Sequence, residues 1–130
     1  MHATGPFEVD LTPQPQAEGV GDPSVARMAI RKRFHGDLDG TSRGEMLATR
    51  TDVEGSAGYV ALERVTATLH GRSGSFSLQH SGLMDRGAKS LTITVLPDSA
   101  TGELAGLAGT MDIVFEGGGH TYVFDYTLPG

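Results

Sequence analysis

The sequence predicts an all-β fold: eight antiparallel strands in series, closed into a barrel. Three observations lead there. Apolar and polar residues alternate with period two through most of the chain, the signature of half-buried strands. Nineteen glycines and six prolines among 130 residues cut those stretches at short intervals. No stretch sustains a helical period, and the best candidate, 100–107, is interrupted by Gly102 and Gly106, each costing about 1 kcal/mol against alanine in a helix interior. A chain of this length is expected to form a single domain over 1–130, since two cores would each be marginal.

The elements follow in order. Residues 1–6 are expected to be disordered, and the first strand covers 7–11, alternating Phe7, Val9 and Leu11 with Glu8 and Asp10 until Pro13 and Pro15 end it. A mobile loop over 13–24 is expected next. The second strand, 27–38, carries Met28, Ile30, Lys32 and Phe34 on one face and Arg31, Arg33 and His35 on the other. Asp39-Gly40 reads as a hairpin turn into a third strand that runs through 45–51. After Glu54-Gly55-Ser56, the longest run, 58–69, places Tyr59, Ala61, Val65, Ala67 and Leu69 together, with Glu63 in their midst. Then 75–81 sets Phe76, Leu78 and His80 against Ser75, Ser77, Gln79 and Ser81. Strands at 90–96, 109–116 and 120–128 complete the series.

Every connection is short enough to join antiparallel neighbours. A meander of eight strands removes its unpaired edges by closing, and such a barrel is just wide enough to be filled by side chains or to hold one small ligand. An open sandwich is the competing architecture.

Three stretches carry a resemblance. Gly-Tyr-Val-Ala-Leu-Glu-Arg-Val-Thr-Ala-Thr-Leu at 58–69 runs into Gly-Arg-Ser-Gly-Ser-Phe-Ser-Leu-Gln-His-Ser-Gly at 71–82. Ser-Ala-Thr-Gly-Glu-Leu-Ala-Gly-Leu-Ala-Gly follows at 99–109. Together they resemble a bacterial family of small uncharacterised proteins, a domain of unknown function, with an allene-oxide-cyclase-like barrel. The last stretch is also similar to the Gly-Thr-Gly-x-Phe-x-Gly-x-x-Gly turn of allene oxide cyclases and dirigent proteins, with Leu104 in place of the aromatic. The resemblance spans 7–128 and implies an eight-stranded antiparallel barrel, often oligomeric. It does not imply the cyclase reaction, and no catalytic residue is carried over from it.

Composition excludes several functions. Sixteen acidic residues against ten basic ones give a net charge of −6, which argues against nucleic acid or an anionic membrane as partner. With no cysteine there is no disulfide, thiolate metal site or thiol nucleophile. Residues 1–15 have neither the basic start nor the apolar core of a secretory signal, no run is long enough for a membrane helix, and a cytoplasmic location is expected. Five scattered histidines offer no metal-ligand spacing. The glycine-rich 102–109 precedes no helix that could hold a phosphate, so no cofactor is expected.

Glu63 and Arg64 are the most informative pair, because adjacent strand residues face opposite ways and one charge must point into a closed barrel. Its apolar neighbours make Glu63 the inward member. A carboxylate there is a general base with a pKa raised by burial, or a buried ion pair or hydrogen-bonded carboxylate with Lys32 or Arg64, or a residue at a subunit interface. His80 is its candidate catalytic partner, or a core histidine bonded to Ser81 or to backbone. Lys32, Tyr59, Phe76, Leu78, Tyr122 and Tyr126 are candidate ligand-binding residues. The alternative for the aromatics and Leu78 is plain core, and for Lys32 it is an outward place in the solvated basic stripe of 27–33, the commoner fate of lysine. Two functions follow. One is a lumen that binds a small apolar ligand and isomerises or cyclises it without cofactor, using Glu63 and His80. The other is a side-chain-filled barrel serving as a structural or interaction module. Apolar residues on both faces of 58–69, such as Val60 and Leu62 opposite Ala61 and Val65, point to a homo-oligomer.

Overall fold

The computed structural model of the protein describes residues 1–129. Eight strands, β1 (His2–Gln14), β2 (Ala26–Phe34), β3 (Leu38–Arg50), β4 (Ala57–Leu69), β5 (Arg72–Asp85), β6 (Ala88–Val95), β7 (Ala108–Glu116) and β8 (Gly119–Thr127), pair in sequence order into a closed antiparallel barrel. The sandwich alternative is excluded by the β1–β8 pairing that shuts the cylinder.

Closure depends on β1, and here the expectation for the N-terminus is corrected. Residues 2–6, expected to be disordered, are strand, because they pair with β8 from His2↔Asp125 onward. At Phe7 the strand changes partner, and 7–14 pair with β2. A strand paired on one side at a time tolerates proline, which is why Pro6 and Pro13 both lie within it. The loop expected over 13–24 accordingly starts later, since Pro13 and Gln14 still pair with Met28 and Arg27.

A second correction concerns Asp39-Gly40. The turn lies earlier, at Gly36 (φ 88°) and Asp37, and Asp39 and Gly40 belong to β3. Gly40 is needed for close approach: a β-carbon there would sit 2.4 Å from that of Ala67, its register partner on β4. The interrupted helical stretch condenses to one 3-10 turn, Gly102–Leu104, in the connection from β6 to β7.

Inward residues alternate along every strand, and half of the barrel is packed solid. Phe34, Leu38, Leu69, Phe76, Phe124 and Leu104 are completely buried there. Phe76 stacks on Phe124 with centroids 5.9 Å apart. Tyr122 closes that end by accepting the backbone N–H of Leu38 at 2.8 Å and donating to the His35 carbonyl at 2.6 Å. The opposite half, toward the β3–β4 and β5–β6 turns, is where the interior opens. β6 and β7 are joined through a single register pair, Thr94↔Thr110.

Candidate functional site

Register places the inward residues of β3 to β6 in successive rows. From the open mouth inward they read Arg50–Ala57–Met84–Lys89, then Ala48–Tyr59–Gly82–Leu91, then Met46–Ala61–His80–Ile93, then Gly44–Glu63–Leu78–Val95. Polarity thus changes with depth: cations at the rim, apolar surface below, then an imidazole and a carboxylate on the packed core.

Glu63 sits at the centre of a closed polar cluster. Its side chain has no exposure, and Oε2 accepts from Lys32 Nζ at 2.8 Å and from His80 Nε2 at 2.7 Å. Oε1 accepts from Ser42 Oγ at 2.9 Å. Lys32 also lies over the rings of Phe7 and Phe34, at 5.4 and 5.9 Å from their centroids. Burial by itself would raise the Glu63 pKa, but the His80 bond and the Lys32 ammonium outweigh it and hold the carboxyl at about 2. The group is therefore an anion at neutral pH and a weak base. Gly44, its register partner on β3, has to be glycine, since a β-carbon there would lie 2.6 Å from the Glu63 α-carbon.

Arg64, the other member of the adjacent charged pair, faces outward and bonds Ser75, Ser77 and the Ser99 carbonyl. His80 gives Nε2 to Glu63, and its Nδ1 has no protein partner. No fully enclosed side-chain nitrogen or oxygen among the described residues lacks a partner, so Nδ1 borders accessible space. This is the arrangement of a carboxylate-oriented imidazole: the anion fixes the Nε2–H tautomer and leaves the other nitrogen free to take a proton.

Above the cluster is an apolar pocket of about 330 Å³, walled by Met46, Ala48, Tyr59, Gly82, Met84 and Leu91, with Arg50 and Lys89 at its edge. Tyr59 lies between pocket and cluster. Its ring is 6.4 Å from that of His80 and lies across Gly82, where a β-carbon would meet Tyr59 Cε1 at 2.2 Å. Burial, and then the Glu63 charge, push the Tyr59 hydroxyl pKa up, so it stays a proton donor.

Of the residues singled out from sequence, Glu63, His80 and Lys32 meet in one cluster, and Tyr59 lines the pocket. Phe76, Leu78, Tyr122 and Tyr126 do not line it. They belong to the packed half, Phe76 and Tyr122 held as described above and Tyr126 beneath the β4–β5 turn, bonded to His70 Nδ1. Lys32 and His80 do not line the pocket either: Lys32 is committed to Glu63, and the Tyr59 ring stands between the pocket and His80. Sequence reasoning missed Ser42, because the misplaced hairpin hid its register. It also missed Gly44 and Gly82, whose signal was a glycine inside a strand pattern.

A family model described as "Protein of unknown function (DUF3224)" matches residues 3–126. The chain belongs to the DUF3224 family. A solved DUF3224 structure, the crystal structure of a protein with unknown function from Shewanella oneidensis MR-1 at 1.84 Å, shares 48% identity with it. That match covers 100% of this chain and 98% of the other, with a TM-score of 0.92. No curated protein matches the chain. The DUF3224 barrel is thus established for this sequence, while a role has to be argued from the site. Among the described residues no group of three or more His, Cys, Asp or Glu side chains is placed to hold a metal, and no helix is long and apolar enough to cross a membrane.

Proposed function

We propose that this protein binds one small, largely apolar molecule in the mouth of its barrel and isomerises it by proton transfer, without a cofactor. The observation that carries the reading is an apolar pocket whose Tyr59 ring lies 6.4 Å from a carboxylate-oriented imidazole. In this scheme His80, rather than Glu63, is the base. The ligand's inner end passes the edge of the Tyr59 ring to reach His80. Nδ1 takes a proton from its acidic carbon, the imidazolium is stabilised by the Glu63 anion, and the same proton returns to another carbon of the same molecule. Nothing else is consumed. Glu63 acts as orienting group, since a carboxyl held near pKa 2 has little tendency to accept a proton. Tyr59 supplies a hydroxyl donor for a carbonyl or epoxide oxygen.

The second reading, an interaction module, draws support from the outer face. Leu47, Val60, Leu62 and Leu83 are 46 to 65% exposed on adjoining strands. Such a patch suits burial against another copy of the chain, and the homo-oligomer expected from sequence is kept as part of the proposal, as is a cytoplasmic location.

A thermal-shift screen against small apolar carbonyls, epoxides and lactones tests the main reading. A ligand at a hundred times its dissociation constant adds about 2.7 kcal/mol of stability. Hits that disappear in Tyr59→Ala support the mouth pocket. A flat screen refutes it and leaves the interaction module.

A further inference from the structure

We infer that the pocket's ligand carries an anionic head group, held at the rim by Arg50 and Lys89, with an apolar body running inward over Tyr59 toward His80. The inference rests on the mouth pocket being a ligand site, and adds the chemical class that site takes. Its starting point is charge. The chain carries sixteen acidic and ten basic residues, yet the pocket is bordered by two cations and by no acid. Asp52, Glu54 and Asp85, in and beside the adjoining turns, do not line it. Among the described residues neither Arg50 nor Lys89 has a carboxylate within ion-pair distance, a freedom they share with Arg31, Arg43, Arg64, Arg72 and Arg86, but of these seven only Arg50 and Lys89 border the pocket.

Register fixes where these charges stand. Arg50 and Lys89 end the same row across four strands, Arg50–Ala57–Met84–Lys89. They stand three strands apart on the same stretch of rim, with Ala57 and Met84 between them. Lys32, the cation deeper inside, is held by Glu63 and 6% exposed, so the rim is where an anion finds uncommitted positive charge. An acid group placed further in would approach the Glu63 anion.

Depth sets the body. On β3 the lining runs four residues inward, from Arg50 to Met46, about 13 Å along the strand and roughly 10 Å along the axis once strand tilt is allowed for, while on β4 to β6 it ends at Tyr59, Gly82 and Leu91. That is close to the length of an extended octanoate. The inward walls over this span are methionine, alanine, glycine, leucine and the Tyr59 ring, with Thr49 and Ser90 as further, polar members of the lining, and methionine adapts to chains of varied shape.

Calorimetric titration of the whole protein with octanoate, octanol and octyltrimethylammonium, at low ionic strength, tests the assignment. Octanoate should bind about tenfold more tightly than octanol, the advantage falling as salt is added, and the ammonium compound should bind weakest. Arg50→Glu with Lys89→Glu, both exposed rim positions, should invert the order of the two ions and leave octanol unchanged. Octanol binding as well as octanoate, or an order that survives the double charge reversal, overturns the anionic head group while leaving the pocket standing. Failure of all three probes to bind overturns the pocket reading itself.

Discussion

Replacing Lys32 and Glu63 singly and together would show how the site's charge is held. The pair is 2.8 Å apart, with side-chain exposures of 6 and 0%, so solvent screens neither partner. Lys32→Met leaves the Glu63 anion with only Ser42 and His80 as donors. Glu63→Met leaves a buried ammonium and frees the same two donors. Removing one partner of a buried pair costs about 3–5 kcal/mol, whereas apolar replacement of both is often close to neutral. Two singles summed would thus cost about 8 kcal/mol, while the double variant should lose about 2, chiefly from Ser42 and His80 left without an acceptor. Urea unfolding at pH 7, followed by circular dichroism with slopes compared, measures all four corners of this cycle. Additive losses, or singles that cost under about 1 kcal/mol, would refute the enclosed ion pair.

Further predictions concern titration, packing and the closed end. Glu63 is depressed to about 2 from an ordinary 4.5, so its contribution, about 3 kcal/mol, is present above the unfolded pKa and lost as pH falls from about 4.5 through 2. Urea midpoints should fall across that window more steeply in the wild type than in Lys32→Met/Glu63→Met. Gly82→Ala puts a methyl where the Tyr59 ring lies, and should cost about 1–3 kcal/mol and weaken pocket binding, as read by urea unfolding and ligand titration. Tyr122→Phe strands the Leu38 N–H and the His35 carbonyl, a loss of about 1–3 kcal/mol that should leave ligand affinity in the mouth unchanged.

Much of this arrangement was legible in the sequence for a simple reason. In a strand, side-chain direction follows parity, so Glu63 among Tyr59, Ala61 and Val65 had to point inward once the barrel closed. The same parity argument puts His80 inside. Lys32 shares the face of Ile30 and Phe34, but the commoner fate of a lysine in a basic stripe is solvent, and it is the Glu63 contact that seats it in the interior. What parity does not give is depth. Phe76 and Tyr59 face the same interior, yet Phe76 lies in packed core and Tyr59 borders space, and only register, Phe76 opposite Val65 and Tyr59 opposite Gly82, separates them. Glycine was the other source of error. Gly40 looked like a turn residue, but it lies inside β3 because Ala67 needs its missing side chain. Gly82, read only as the end of a motif, makes the bed on which Tyr59 rests. In both cases glycine's use was steric, and a steric requirement depends on a neighbour more than twenty residues away.

Methionine methyl resonances would report on the mouth pocket most directly, because Met46 and Met84 line it and Met111 lies in the packed half. Adding octanoate to protein labelled at the methionine methyls should shift Met46 and Met84 in a saturable way, with the His80 ring following and Met111 unmoved. Shifts centred on Met111, or none at any of the three, would contradict a ligand site in the mouth of this barrel.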